Sequence, residues 1–170
     1  MTMRIRRAST ADTAALAEVG TATFLETFGH LYRPDDLQYF LETSRSPEAF
    51  ARLLHDPAYG VFVAQEEGIE IGYAVVGPCK LPIEALDSAA GEVQQLYFRK
   101  THQGGGRGAR LLETALKWLI SWRHTPLYIG VWSQNSGAQR FYARFDFVKV
   151  GEYDFPVGKQ LDREFILRRD

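Results

Sequence analysis

The sequence predicts an α+β protein in which a mixed β-sheet is covered by helices on both faces. Three observations predict this class. Helical apolar periodicity fills the first third of the chain, β-rich runs bounded by glycine begin near residue 60, and another amphipathic helix at 110–122 lies between two such runs. A chain of 170 residues is long enough to bury one core, so a single domain over residues 1–170 is expected.

The first third is predicted to begin with a short strand and to continue as helices. Residues 4–6 are expected to form the strand. Ser9 and Asp12 have the spacing of a capping box, which predicts the start of the first helix. Pro34 and Pro47 are each expected to open a further helix. The helices therefore precede most of the sheet in the chain.

After residue 57 the apolar pattern changes from the helical period to the shorter period of strands. Two β-rich runs joined through Gly68 predict a hairpin over 60–65 and 69–76. The remaining predicted elements are a loop over 77–90, a strand over 92–98, a helix over 110–122, a strand over 127–132, a helix over 136–144 and a terminal hairpin of 147–155 and 163–167.

Composition and charge argue against several functional classes. A net charge of −1 does not suit a protein that neutralises nucleic-acid phosphates. No apolar run approaches the roughly 18 residues of a membrane span, and residues 1–7 lack the apolar region of a secretory signal. We therefore expect a cytoplasmic protein without a nucleic-acid or membrane partner. Cys79 is alone, so no internal disulfide is expected, and the histidines lack metal-ligand spacing, so no metal is expected.

A glycine-rich segment at 103–109 connects the predicted strand at 92–98 to the helix at 110–122. Without a Cβ atom, glycine lets backbone N–H groups turn toward an anion. The dipole of the following helix adds positive potential at the same place. The segment therefore predicts a phosphate or pyrophosphate site.

Three phosphate-binding patterns compete for this segment. A Walker A loop needs Lys and then Ser or Thr directly after its glycines, and neither a Lys-Ser nor a Lys-Thr pair follows the glycines here. Gly104, Gly106 and Ala109 formally fit the dinucleotide pattern, but five residues separate them from the strand and no carboxylate ends the next strand. Gln103, Gly106 and Gly108 satisfy a third pattern, Gln/Arg-x-x-Gly-x-Gly/Ala.

This third pattern resembles the pyrophosphate loop of the GNAT superfamily of acyl-CoA-dependent N-acyltransferases. The resemblance extends to residues 135–147, where Asn135 is followed by Phe-Tyr and Asp-Phe pairs. Residues 23–28 and 127–132 further resemble the PaiA-type polyamine acetyltransferases. The family resemblance implies an acetyl-CoA-dependent N-acetyltransferase. It also implies a mixed, mostly antiparallel sheet of six to seven strands with a splay between its two central strands.

The resemblance implies where the cosubstrate acetyl-CoA binds. It implies that the backbone of Leu96, Tyr97 and Phe98 pairs with the pantetheine arm, and that a bulge on the same strand frees an N–H toward the thioester oxygen. Asn135 contacts the same arm, which is compatible with its acting as a helix N-cap. The implied cofactor-binding residues are Leu96, Tyr97, Phe98, Gln103, Gly104, Gly105, Gly106, Arg107, Gly108, Ala109, Asn135 and Arg144.

Tyr142 is predicted to be the catalytic acid. A phenol with a pKa of about 10 can protonate a departing thiolate whose thiol has a pKa of about 8.5. An amine with a pKa near 10.4 must first lose a proton. Glu92 is predicted as a catalytic residue in the role of base, but no spacing singles it out from Glu26, Tyr97 or a water chain that ends on a carboxylate. An enzyme without a dedicated base is a further alternative. Asp146 replaces the glycine of the family's Gly-Phe pair, at some cost if this residue needs a positive φ.

The acceptor is expected to contact Phe24, Glu26, Phe28 and Tyr32, because aromatic faces and a carboxylate together hold a cation. The predicted reaction is acetyl transfer to a primary amine of a small molecule, with a polyamine as the leading example, by direct attack in a ternary complex. Protein or peptide acetylation, and a non-catalytic CoA-binding module, are the alternatives. A homodimer through the C-terminal strands is expected from the resemblance.

Overall fold

The computed structural model describes residues 2–170. Within this range the chain forms seven β-strands and five α-helices. In chain order they are β1 (Arg4–Arg7), α1 (Thr13–Phe28), α2 (Pro34–Ser44), α3 (Pro47–His55), β2 (Gly60–Glu66), β3 (Ile69–Pro78), β4 (Gly91–Phe98), α4 (Arg107–Ser121), β5 (Leu127–Trp132), α5 (Ser136–Ala143), β6 (Val148–Val157) and β7 (Gln160–Arg169). No helix in the described range is long and apolar enough to cross a membrane.

Local sequence signals set the starts of the N-terminal helices. Ser9 and Asp12 form the predicted capping box, although it opens a short 3-10 turn that leads into α1. The Arg6 guanidinium donates to the Asp12 carboxylate at 2.8 and 2.9 Å, and this lowers the pKa of Asp12 to about 2. Pro34 and Pro47 begin α2 and α3, where the missing N–H of proline costs nothing.

The strands form one sheet in the order β1-β2-β3-β4-β5-β7-β6. Every neighbouring pair is antiparallel except β4 and β5, which are parallel. The predicted mixed and mostly antiparallel sheet is therefore confirmed.

Side chains that alternate along β2 and β3 divide between two cores on opposite faces of the sheet. Phe62 and Ala74 pack in the core that includes the apolar stripe of α4. Val61 and Val75 pack in the core that includes residues of α1 and α3. Helices therefore cover both faces, as predicted.

Several predicted boundaries were wrong. α4 begins at Arg107 rather than at residue 110, because Gly106 adopts φ 78° and acts as the N-cap. The terminal hairpin extends beyond its predicted ends, with β6 reaching Val157 and β7 starting at Gln160. Gly158, at φ 58°, makes the tight turn that this longer pairing requires.

The two central strands separate after a short ladder. β4 and β5 pair only at Gly91 with Leu127 and at Glu92 with Tyr128. Beyond these pairs the β5-facing edge of β4 has no ladder partner, which confirms the predicted splay.

A bulge interrupts β4 where it starts to leave β5. Against β3, Val76 pairs with Val93 while Val75 pairs with Gln95, so Gln94 is the extra residue. The bulge expected on this strand is therefore present at the start of the splay.

Candidate active site

The gap between β4 and β5 is a cavity of about 350 Å³, which we call the splay cavity. Its walls are residues 93–98 of β4 and 129–132 of β5, and Asn135, Ala138 and Tyr142 border it from the side of α5. An exposed strand edge can accept an extended ligand as an additional strand. The splay cavity therefore suits a long, thin ligand with amide groups.

The glycine loop, residues 103–109, presents free backbone donors. Gly104, Gly105 and Gly106 have φ of 85°, 66° and 78°, and a Cβ added at Gly104 or Gly106 would meet no atom within 4 Å. Among residues 2–170, no group accepts a hydrogen bond from the N–H of Gly105, Gly106, Gly108 or Ala109. Free N–H groups at the start of α4 form an anion site.

A second cavity, of about 460 Å³, lies between the glycine loop and α5, and we call it the loop cavity. Gly104, Gly106, Gly108 and Ala109 border it on one side, and Arg144 contributes a cation. It shares several lining residues with the splay cavity, namely Leu96, Phe98, Gln103, Asn135, Ala138 and Tyr142. The two cavities thus form one track from the anion site to the splay.

The Arg107 side chain is held inside the protein instead of lining this track. It donates to Glu66 at 2.9 Å, and the His102 imidazole lies 3.7 Å from the same carboxylate. The hydrogen bond from Arg107 lowers the pKa of Glu66. This ion pair ties the end of β2 to the first turn of α4 and fixes the glycine loop.

Asn135 joins the cap of α5 to the track. Its Oδ1 accepts from the Ala138 N–H at 3.1 Å, which is the N-cap bond predicted from sequence. The residue also borders both the splay cavity and the loop cavity. With Oδ1 engaged in the cap, the Nδ2 group is the part of this side chain that remains to donate to a ligand.

Tyr142 lies on α5 at the meeting point of the two cavities. The residue is 8% exposed, and its ring packs against Phe141 and Phe147. Within the described range no protein group hydrogen-bonds its hydroxyl. Burial, together with the neighbouring Tyr97, raises the pKa of Tyr142, so its phenol is protonated at neutral pH.

A third and smaller cavity, of about 100 Å³, adjoins the splay cavity, and we call it the acidic chamber. Phe24, Phe28 and Tyr32 line it together, and the Phe28 ring meets Trp132 edge-on with centroids 5.6 Å apart. Three carboxyl groups also line it, those of Glu92, Asp162 and Glu164.

Burial perturbs two of these carboxyl groups. It raises the pKa of Glu92 to about 7, although the Lys80 N–H donates to its Oε1 at 2.8 Å. Burial and the charge of Asp162 raise the pKa of Glu164 to about 7. Asp162 accepts a hydrogen bond from the Tyr32 hydroxyl. The chamber therefore combines negative charge with aromatic faces, which is suited to a cation.

Two residues with predicted roles, Glu26 and Glu92, lie in a different cavity from the one that their roles suggest. Glu26 borders the splay cavity rather than the acidic chamber, and its carboxylate accepts from the Lys100 N–H at 3.2 Å. Glu92 borders the acidic chamber but not the splay cavity.

Sequence reasoning missed three chamber residues, Asp162, Glu164 and Arg45. Asp162 and Glu164 are two apart on a strand and therefore share a face, which was the only available signal. Arg45 is 6% exposed, and its guanidinium carbon lies 5.6 Å from the Phe24 ring centroid and 5.8 Å from that of Tyr97. Nothing in its sequence context separates it from a surface arginine.

The fold and the site together define a protein that can hold a long, anion-bearing ligand across a split sheet, next to an acidic chamber. A family model described as the acetyltransferase (GNAT) family matches residues 23–147. The chain therefore belongs to the GNAT family and is an acetyltransferase.

Similar proteins span nearly the whole chain. An uncharacterized N-acetyltransferase of Lactobacillus delbrueckii subsp. lactis is 26% identical over 167 residues, covering 98% of this chain and 96% of that protein. An uncharacterized N-acetyltransferase of Mycobacterium tuberculosis is 28% identical over 159 residues, covering 94% and 97%. A probable spermine N(1)-acetyltransferase of Bacillus subtilis subsp. natto is 30% identical over 101 residues, covering 58% and 65%.

Solved structures share the fold. The PaiA N-acetyltransferase of Thermoplasma acidophilum in complex with coenzyme A has a TM-score of 0.79 and 19% identity, covering 100% of this chain and 99% of that one. The acetyltransferase yncA of Salmonella typhimurium with acetyl-CoA has a TM-score of 0.69 and 24% identity, covering 100% and 94%.

Proposed function

We propose that this chain transfers the acetyl group of acetyl-CoA to a primary amine of a small molecule, by direct attack in a ternary complex. The observation that carries this proposal is that the splay cavity and the acidic chamber meet. Tyr97, Gly130, Trp132 and Glu164 border both. A thioester in the first and an amine in the second would lie side by side, so no covalent acetyl-enzyme is needed.

The proposed path of acetyl-CoA follows the track formed by the loop cavity and the splay cavity. The free N–H groups of Gly105, Gly106, Gly108 and Ala109 support pyrophosphate binding there, and Arg144 adds positive charge. The free edge of 96–98 supports strand-like pairing with the pantetheine arm. Asn135 is proposed to donate to the same arm through Nδ2.

Tyr142 is proposed to protonate the departing thiolate of CoA. Its phenol carries a proton at neutral pH, as a donor must, and its position between the loop cavity and the splay cavity supports a contact with the thiol arm. The bulge at Gln94 supports a complementary role for the β4 backbone, in which a freed N–H donates to the thioester oxygen as its charge develops.

The acidic chamber is proposed to hold the acceptor as a cation. Phe24, Phe28 and Tyr32 offer aromatic faces, and Glu92 and Asp162 offer negative charge. Several carboxyl groups in one chamber favour an acceptor with more than one amine, so a polyamine is the proposed class. The similarity to the probable spermine N(1)-acetyltransferase supports the same choice. A substrate contact by Glu26 remains a prediction.

The test is amine-dependent release of free CoA thiol from acetyl-CoA. The panel contains spermidine, spermine, 1,4-diaminobutane, single amino acids and lysine-containing peptides, with reactions lacking amine as the control. Release with the small amines, strongest with the polyamines, is the expected result. Release only with peptides would move the assignment to peptide acetylation. Retained acetyl-CoA binding without release would indicate a CoA-binding module.

We further propose that residues 1–170 act as one acetyltransferase domain that forms a homodimer through its C-terminal strands. β6 is an edge strand of the sheet, and Val148 and Val150 on it are 66% and 56% exposed. Sedimentation velocity would give a dimer mass, and Val148→Lys would shift it to that of a monomer. A monomer at all concentrations would contradict this. The cytoplasmic location stays a prediction.

A further inference from the structure

Four carboxyl groups border the splay cavity or the acidic chamber, and three of them accept a hydrogen bond from the protein. The Lys100 N–H donates to Glu26 and the Lys80 N–H to Glu92. The Tyr32 hydroxyl donates to Asp162. Among residues 2–170, no hydrogen bond or ion pair engages the fourth carboxyl group, which belongs to Glu164. Its oxygen atoms are therefore the ones left to accept a proton from a ligand.

Glu164 is also the one carboxylate that borders both the splay cavity and the acidic chamber in the described range. It lies on β7, directly opposite Trp132 of β5 on one side and Tyr153 of β6 on the other. β5 forms one wall of the splay, so this register places Glu164 beside the gap through which an amine would reach the thioester.

We propose that Glu164 is the catalytic residue that takes the proton from the acceptor ammonium before attack. This assignment rests on the proposed function. The Glu164 carboxylate accepts one proton from the ammonium, and the freed nitrogen lone pair forms a bond to the thioester carbon. The C–S bond breaks, its electron pair leaves on sulfur, and Tyr142 donates a proton to that sulfur. The nitrogen loses a second proton, which restores Tyr142, and Glu164 releases its proton to solvent.

The charge state of Glu164 supports this role. Burial and Asp162 raise its pKa to about 7, so the carboxylate exists at neutral pH yet is a stronger base than an exposed one. The titratable and charged groups that face it are Asp162 on β7, Tyr153 on β6, Tyr97 and Glu92 on β4, and Tyr32 and Arg45 in the chamber wall.

Glu92 is the competing assignment, because burial raises its pKa to a similar value. Its Oε1 is engaged by the Lys80 N–H, and it does not border the splay cavity. We therefore expect Glu92 to bind the acceptor cation rather than to take the reacting proton. The two roles differ in kinetics, since binding changes KM and proton transfer changes kcat with its pH dependence.

The test measures kcat, KM and kcat/KM between pH 6 and 10 for the wild type, Glu164→Gln and Glu92→Gln, using the best amine of the panel. Glu152→Gln is the matched control, since Glu152 is on β6 and borders neither cavity. The kcat/KM of the wild type is expected to rise with pH and to level off above about pH 7. Glu164→Gln is expected to be about 100-fold slower at pH 7.5. Its rate should keep rising toward the pKa of the free amine, about 10.4.

Glu92→Gln is expected to raise KM, while its kcat/KM still levels off near pH 7 as in the wild type. Glu152→Gln is expected to match the wild type. The assignment of Glu164 as the base would be overturned if kcat/KM of Glu164→Gln still levelled off near pH 7, or if Glu92→Gln lost this levelling instead. Either result would leave the proposed function standing. A wild type inactive with every amine would overturn the proposed function, and this assignment with it.

Glu164→Asp guards against a folding defect in the glutamine variant. It keeps a carboxylate but holds it one methylene farther from the acceptor. We therefore expect kcat/KM to level off near neutral pH at a value about tenfold below that of the wild type. Acetyl-CoA affinity and the melting temperature should stay at wild-type values. An unchanged rate in Glu164→Asp would also overturn the assignment, because a group that takes the proton must reach it.

Discussion

At the scale of single residues, the site depends on which polar groups are left free. Asn135 uses Oδ1 for the helix cap, and its Nδ2 group donates to no protein group among residues 2–170. The Arg107 side chain forms an ion pair with Glu66, and this contact holds the glycine loop in place. In the described part of the chain, no protein group hydrogen-bonds the Tyr142 hydroxyl, and burial raises the pKa of this residue. Whether a polar group already has a partner within the protein, and not its residue type alone, decides whether it can bind a ligand.

Replacing Tyr142 by phenylalanine removes the hydroxyl and leaves the packing of the ring against Phe147. We expect kcat to fall at least tenfold, because the thiolate must then leave without its proton donor. Acetyl-CoA affinity, measured by calorimetry, should remain within a factor of about two. Tyr128→Phe is the control, since Tyr128 is buried on β5 but borders neither cavity. Full activity in Tyr142→Phe would remove this residue from the mechanism.

At the scale of elements, the end of α5 explains why the family pattern carries Gly-Phe where this chain has Asp146-Phe147. The Phe147 N–H donates to the Tyr142 carbonyl at 3.3 Å and the Asp146 N–H to the Ala143 carbonyl at 3.1 Å. These are the two bonds of a Schellman motif, and they place Asp146 at φ 69°. The same motif brings Phe147 against Tyr142 and so fixes the proposed acid.

The substitution Asp146→Gly is expected to raise the free energy of unfolding by about 0.5 kcal/mol, because glycine accepts positive φ without the Cβ clash. Asp146→Ala should lower it by about 1 kcal/mol. Urea denaturation of both variants measures the difference. If Asp146→Gly proved less stable than Asp146→Ala, the left-handed conformation at this residue would be wrong.

The glycine loop is the second element on which function depends. Gly106 is the N-cap of α4 at φ 78°, a conformation that a β-branched residue adopts only as an outlier. Gly106→Val is therefore expected to abolish CoA binding by turning the free N–H groups away from the anion. Gly151→Ala, where an added Cβ meets only ordinary contacts, is the control. Wild-type CoA affinity in Gly106→Val, measured by calorimetry, would mean that the loop does not bind the pyrophosphate.

At the scale of the whole molecule, the sequence supports the fold far better than it supports the acceptor side of the site. Strand and helix periods, the glycines and the 135–147 segment are local patterns, so they predicted the sheet class and most of the residues that border the loop cavity. The acidic chamber depends on β7 lying beside β5, which brings Asp162 and Glu164 near Phe24 across more than 130 residues. No local pattern encodes that pairing.

The strand order that places β7 beside β5 also underlies the proposal that acetyl-CoA and the amine occupy adjoining spaces at the same time. The splay between β4 and β5 opens one space, and the chamber formed by α1, β4, β5 and β7 opens the other. Tyr97 and Glu164 border both spaces, so two substrates bound together would lie next to each other there.

Initial velocities measured over a grid of acetyl-CoA and amine concentrations test this claim most directly. Simultaneous occupancy predicts double-reciprocal lines that intersect, because each substrate changes the slope for the other. Parallel lines would show that acetyl-CoA reacts and CoA leaves before the amine binds. That result would mean an acetylated enzyme and would contradict direct attack across the splay.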